Sequence, residues 1–198
     1  MADKGGFVGR GGIKLSHGLE VFGIDPAGMV CADLGCSTGG FADCLLKRGA
    51  VRVHAVDTGY GVLDYSLRRD ERVVVHERAN ALHLEPAEKV DLVVIDLGWT
   101  VQARAIPAGL KWLKEGGRIV TLIKPMYEIG EEERAGHLRD GVLDDAFGEV
   151  VARRVYEGLG AAGAEGRGLV ESPIRGGGSR GRGGNREWLA LVVPSEAE

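Results

Sequence analysis

Residues 29–57 read MVCADLGCSTGGFADCLLKRGAVRVHAVD, and this stretch decides the architecture. MVCADLG (29–35) has the apolar character of a strand, yet it runs into Asp33 and then a loop with glycines at 35, 39 and 40. FADCLLKRGA (41–50) carries its apolar residues at helical spacing and stops at Gly49. VRVHAVD (51–57) is a second strand, closed by Asp57. Strand, helix and strand with short connections predict a parallel unit. Ligands of an open parallel sheet bind beyond the C-terminal ends of its strands. Asp33, the loop 34–40 and Asp57 therefore belong to one edge.

The alternation continues outward. GVLDYSLRRD (61–70) predicts a short helix, RVVVHE (72–77) a strand, and VDLVVIDLG (90–98) a strand buried on both faces. AIPAGLKWLKEGG (105–117) reads as a helix, and RIVTLIKP (118–125) as a strand ended by Pro125. Residues 131–157 read as mostly helical, with a break near Gly141. GLVESPI (168–174) and REWLALVV (186–193) have no helix between them and predict a closing antiparallel hairpin. Ile13, Leu19 and Phe22 place a helix ahead of the sheet. The expected fold is a mostly parallel α/β sheet. The chain is expected to form one domain, 1–198, with an N-terminal arm (1–10) and a Gly/Arg-rich loop (175–185).

Composition narrows the class. No stretch approaches the roughly 20 apolar residues of a membrane span, and MADKGGFVGRGG has no apolar signal region. A cytoplasmic protein without a membrane partner is the expectation. Cys31, Cys36 and Cys44 match no zinc spacing, so no metal site is expected. The net charge of −4 argues against nucleic acid only on average. Residues 128–149 are acid-rich and read as a solvated helix face. Arg167, Arg175, Arg180, Arg182 and Arg186 gather near the C-terminus, where a Gly/Arg loop is either solvated or tracks phosphates.

The loop itself excludes two ligand classes. D-L-G-C-S-T-G-G-F has three residues between Gly35 and Gly39, so G-x-G-x-x-G fails, and no G-K-[ST] follows. An acid closing strand one followed by G-x-x-x-G suits a ligand with an amino-acid end and no phosphate. S-adenosylmethionine (SAM) is such a ligand, with Asp57 accepting its ribose hydroxyls, although an acid there also serves NAD.

These residues carry a resemblance. GRGGIKL (9–15), DLGCSTGGFADCLLKRGA (33–50), VHAVDTGYGVLDYSLRRDERV (53–73), VIDL (94–97) and LIKPMYE (122–128) resemble, in order, the FtsJ-like ribosomal RNA methyltransferases. Within them the TlyA (hemolysin A-like) branch is the most similar. The likeness covers residues 8–128 and resumes at 171–192. It implies a Rossmann-like methyltransferase fold with a seven-stranded sheet and helices on both faces. It also implies SAM as cofactor, ribosomal RNA as partner and methyl transfer to a ribose 2′-hydroxyl. The family's Lys–Asp–Lys–Glu tetrad falls on Lys14, Asp96, Lys124 and Glu187, with Glu171 a second candidate for the last place. The cofactor set implied is Asp33, Gly35, Ser37, Thr38, Gly39, Phe41, Asp57, Asn80 and Asp96.

Two departures stand out. The branch carries an N-terminal S4-type RNA-binding domain, which is expected to be absent here because few residues precede GRGGIKL. Its D-V-S-F is replaced by D-L-G-W, ending in Trp99. Trp99 and Tyr127 lie at the same edge, where they either pack or stack on a nucleotide.

The chemistry is an in-line displacement, served by proximity and alignment. A 2′-hydroxyl must lose its proton during attack. Lys124 is the central group, either as base or as a charge stabilising the alkoxide, with Asp96 orienting it. A SAM-binding module without transferase activity is the alternative.

Overall fold

In a computed structural model the structure describes residues 5–177 and 183–195. Arg180 and Arg182 of the Gly/Arg-rich loop and the first four residues of the N-terminal arm lie outside the described residues. Helices are α1 (Gly11–Val21), α2 (Gly40–Lys47), α3 (Tyr65–Arg68), α4 (Gln102–Leu110), α5 (Glu131–His137) and α6 (Asp145–Glu157). Strands are β1 (Val30–Leu34), β2 (Arg52–Val56), β3 (Val73–His76), β4 (Val90–Ile95), β5 (Leu113–Ile123), β6 (Leu138–Arg139), β7 (Val142–Leu143), β8 (Ala164–Glu171) and β9 (Trp188–Pro194).

The main sheet has seven strands in the order β3-β2-β1-β4-β5-β9-β8. The first five are parallel; β9 is antiparallel to both β5 and β8. The mostly parallel sheet closed by an antiparallel hairpin is as the sequence predicts. Asp33 pairs with Ala55 and Val94 in register, so β1 sits between β2 and β4 with their C-terminal ends together.

Helices cover both faces. Leu15 and Leu19 of α1 and Leu45 of α2 pack with Cys31, Val53 and Val94 on one face. Ile106 of α4 and Ala152 of α6 pack with Ala32, Val93 and Trp112 on the other. β4 alternates between these two cores, which explains its continuous apolar run.

Several boundaries differ from the sequence reading, and the short helix expected over 61–70 spans only Tyr65–Arg68. The helix expected over 105–117 instead spans Gln102–Leu110, with Pro107 inside it. The Glu128 carboxylate accepts from the Gln102 N–H at 2.8 Å and so starts the helix upstream. Leu113 then pairs with Val90, so the segment read as the helix end extends β5 through an irregularity. The break near Gly141 is a small hairpin, β6-β7, with Gly141 at φ +82°. β8 starts at Ala164, earlier than the expected 168.

Candidate active site

The site begins with an unusual helix start. The residue before α2 is Gly39, which has φ +94° and no side chain to cap the helix. Asp33, fully buried at the end of β1, supplies the cap: its Oδ2 accepts from the Ala42 N–H at 2.9 Å. Its Oδ1 is buried without a hydrogen-bond partner. Burial pushes the Asp33 carboxyl well above the ordinary carboxylate range, and the charges of Asp96 and Asp57 push the same way.

The glycines are explained by packing as much as by ligand access. A Cβ on Gly40 would meet the backbone of Gly12, Gly9 and Gly11 at 2.9–3.1 Å. One on Gly39 would meet Leu67 and Leu63, and one on Gly35 would stand 2.8 Å from the Asp96 carbonyl. The bare loop therefore lets the start of α1 close over α2, and lets β1 and β4 turn out side by side. The first of these fits had no signal in the loop alone; the glycines of GRGGIKL are its other half.

Two hollows open at this edge. One, of about 390 Å³, is lined by Gly35, Ser37, Val56, Asp57, Thr58, Ala79, Asn80, Ala81, Leu82, Asp96, Leu97, Gly98, Trp99 and Thr100. The other, of about 120 Å³, is lined by Gly11, Asp33, Gly35, Cys36, Ser37, Thr38, Gly40, Phe41 and Asp96. Gly35, Ser37 and Asp96 form their common wall. A larger hollow of about 490 Å³ lies by Tyr156, Ala164, Arg167 and Ser195 at the opposite edge of the sheet, and none of the expected tetrad or cofactor residues lines it.

Most of the expected cofactor set lines these two hollows; Gly39 lines neither, since its open side faces Leu63 and Leu67. Asp57 Oδ2 accepts from Ser37 N–H at 2.8 Å and Oδ1 from Gly59 N–H at 2.7 Å. These bonds fix the carboxylate beside the cavity and leave each oxygen a further lone pair. Asn80 turns its own Oδ1 to the Leu82 N–H at 3.0 Å, an Asx turn. Phe41 is 3% exposed and belongs to the core, although its ring also borders the smaller hollow.

The four tetrad residues fall into two couples. Lys124 is paired with Asp96, and its Nζ also donates to the Leu97 carbonyl at 3.3 Å. Pro125 opens a turn (Pro125–Tyr127) and holds Lys124 extended at the end of β5. Lys14 Nζ donates to Glu187 Oε2 at 2.5 Å, with the two residues 8% and 3% exposed. No hydrogen bond or ion pair joins the couples to each other among the described residues. Glu171, the rival for the last place, instead takes Arg186 in a two-bond pair at 2.7 and 2.6 Å.

The arginine cluster is not free for phosphate within the described residues. Arg175 pairs with Asp145, and Arg186 with Glu171 and Glu149. The acid-rich and Arg-rich stretches thus partly neutralise one another across the fold while most of the paired side chains stay exposed. Trp99 is 85% exposed, adopts φ +59°, and lies against Tyr127 with ring centres 4.9 Å apart.

Comparison with known proteins is in keeping with this geometry. The family model for the FtsJ-like methyltransferase matches residues 7–182. The chain is 45% identical over 156 residues to the 16S/23S rRNA (cytidine-2′-O)-methyltransferase TlyA of Mycobacterium tuberculosis, covering 76% of this chain and 58% of that protein. It is 35% identical to Hemolysin A of Brachyspira hyodysenteriae, covering 94% and 77% of the two chains. The chain therefore spans little more than half the length of the TlyA relative. A solved structure described as a candidate hemolysin from Streptococcus thermophilus superposes with a TM-score of 0.86 at 34% identity, over 100% of this chain and 70% of that one. A methyltransferase structure from Bradyrhizobium japonicum, NodS, superposes at 0.59 with 17% identity, over 94% and 96% of the chains, and speaks to the Rossmann-like fold alone. By sequence, order of motifs and fold, the chain belongs to the FtsJ-like methyltransferase family.

Proposed function

We propose that the chain, as one methyltransferase domain over 1–198, transfers a methyl group from SAM to a ribose 2′-hydroxyl of ribosomal RNA. The observation that carries this reading is the Lys124–Asp96 couple, whose Asp96 stands in the common wall of the two hollows. The TlyA relative, named for cytidine 2′-O-methylation of 16S and 23S rRNA, supports ribose in RNA as the substrate class.

The residues present fit SAM. Asp33 Oδ1, buried and unpartnered beside the smaller hollow, suits a donor such as an ammonium. Asp57 keeps acceptor capacity for a ribose diol in the larger hollow. When bound, SAM supplies an electrophilic methyl on a sulfonium. Asp96 borders both hollows and holds Lys124 beside the place where a 2′-hydroxyl would lose its proton. Lys124 either accepts that proton or stabilises the alkoxide with its charge. Exposed Trp99, backed by the half-buried Tyr127, offers a stacking surface for a base on the open side.

Incubating the chain with methyl-labelled SAM and ribosomal RNA tests the reading. Label is expected in RNA, at a ribose oxygen, and Lys124→Ala should lower the rate by about 10²–10⁴-fold while SAM still raises the melting temperature. A chain that binds SAM but labels no RNA would be a binding module, and stabilisation by NAD alone would sink both.

A further inference from the structure

The loop after β2 and the start of α3 display two tyrosines that the core does not use. Tyr60 and Tyr65 are 70% and 71% exposed, while Leu63 and Leu67 beside them are buried. Each ring carries a guanidinium: Arg78 lies 4.5 Å from the Tyr60 centroid and Arg69 lies 5.7 Å from that of Tyr65. Neither arginine has a carboxylate partner among the described residues. Their neighbours differ, since Arg68 is held by Glu77 and Arg72 by Asp70.

The geometry points to a docking ledge for single-stranded RNA, built from Tyr60–Arg78 and Tyr65–Arg69, that takes nucleotides flanking the one in the site. This rests on the RNA reading above and adds where the strand runs. The ledge abuts the cavity, because Thr58 and Ala79, which line it, lie two residues before Tyr60 and directly after Arg78 in the chain. A single strand alternates phosphates with open base faces. The ledge alternates guanidinium edges with ring faces, so it matches that chemistry, whereas a duplex hides its base faces.

The ledge is also held in place before any strand arrives. Arg78 adopts φ +51°, a left-handed conformation that costs energy for a residue with a side chain, and its N–H donates to the Gly59 carbonyl at 3.1 Å. Gly61 N–H donates to Glu77 Oε1 at 2.7 Å, and Asp64 N–H to the Thr38 carbonyl at 3.1 Å. The last bond ties the ledge to the glycine loop itself. The two solvent-facing aromatic pairs have no use in the packing; on a strand of RNA each ring and each guanidinium has a partner.

Binding of a labelled single-stranded RNA of about ten nucleotides, followed by anisotropy across salt concentrations, tests the ledge. Tyr60→Ala and Arg78→Gln should each weaken binding about fivefold or more, with Tyr60→Phe close to wild type. Arg78→Gln and Arg69→Gln should each flatten the salt slope by about 0.7. SAM affinity, measured on the same variants, should stay at the wild-type value and so report an intact fold. If wild type binds and methylates RNA and the ledge variants bind it equally well, the ledge is overturned and the RNA reading stands. If wild type neither binds nor methylates RNA, the RNA reading fails and the ledge falls with it.

Discussion

Asp33 does two jobs with its two oxygens, and the consequence is measurable. One oxygen caps α2; the other is buried with no donor. Its carboxyl is held well above the ordinary value of 3.8, so the folded chain keeps a proton that the unfolded chain has released. Stability from this group is then fullest below that value and declines as pH rises toward the raised folded one. Asn at 33 keeps an oxygen for the Ala42 N–H and cannot titrate. Urea midpoints measured from about pH 4 to pH 7 should show wild type losing ground against Asp33→Asn as pH rises. A difference that does not move with pH would mean that Asp33 titrates normally. The cysteines give a second check. Burial pushes the thiols of Cys31 and Cys44 up to about 12 and raises that of Cys36 as well. A thiol reagent near neutral pH should label none of the three quickly in the folded chain and all of them in denaturant.

Among the helices at the site that start without a capping side chain of their own, α2 and α4 each borrow a carboxylate from another element. Asp33 at the end of β1 serves α2, and Glu128 after β5 serves α4. A reader of local sequence looks for Ser, Thr, Asp or Asn directly before a helix, and here finds Gly39 and Val101. That is why the local sequence places the start of α4 too late, whereas β1, α2 and β2 are legible: their apolar periods are strong and local. The five parallel strands and the closing hairpin could be read the same way. Asp96 and Lys124 could be placed because both follow strands whose ends are marked, one by a run of apolar residues and one by Pro125. The pairing of Gly40 with Gly9–Gly12 could not be read, because it joins residues from separate elements. It makes a test of its own. Gly40→Ala pushes a methyl against three backbone atoms that cannot move aside, and should cost about 1–3 kcal/mol. Gly39→Ala adds a left-handed φ to a clash with Leu67 and should cost at least as much. Gly98→Ala, with nothing within 4 Å and no positive φ, should melt like wild type. Equal denaturation midpoints for the three would contradict the packing account.

The two ends of the chain meet in a buried ion pair. Lys14 and Glu187 are 173 residues apart in sequence, and their ion pair joins α1 to the strand that closes the sheet. Gly18 of α1 lies against Leu189 of β9, so the same two elements also touch through apolar atoms. The pair therefore has two candidate duties, holding the sheet's last strand to the first helix and serving the reaction, and a single substitution cannot separate them. Glu187→Ala leaves the Lys14 ammonium buried without a counter-charge and should cost about 3–5 kcal/mol, along with activity. Replacing both partners by apolar residues of similar size, Lys14→Met with Glu187→Leu, removes the stranded charge. Such exchanges are neutral or stabilising by about 1–4 kcal/mol elsewhere. The double variant should recover the urea midpoint of wild type while methyl transfer to RNA stays lost. Recovery of transfer together with stability would show that the couple acts only as a clasp. Loss of both in the double variant would mean that its place is not set by burial and charge alone, and that the apolar contact at Gly18 cannot hold the two ends without it.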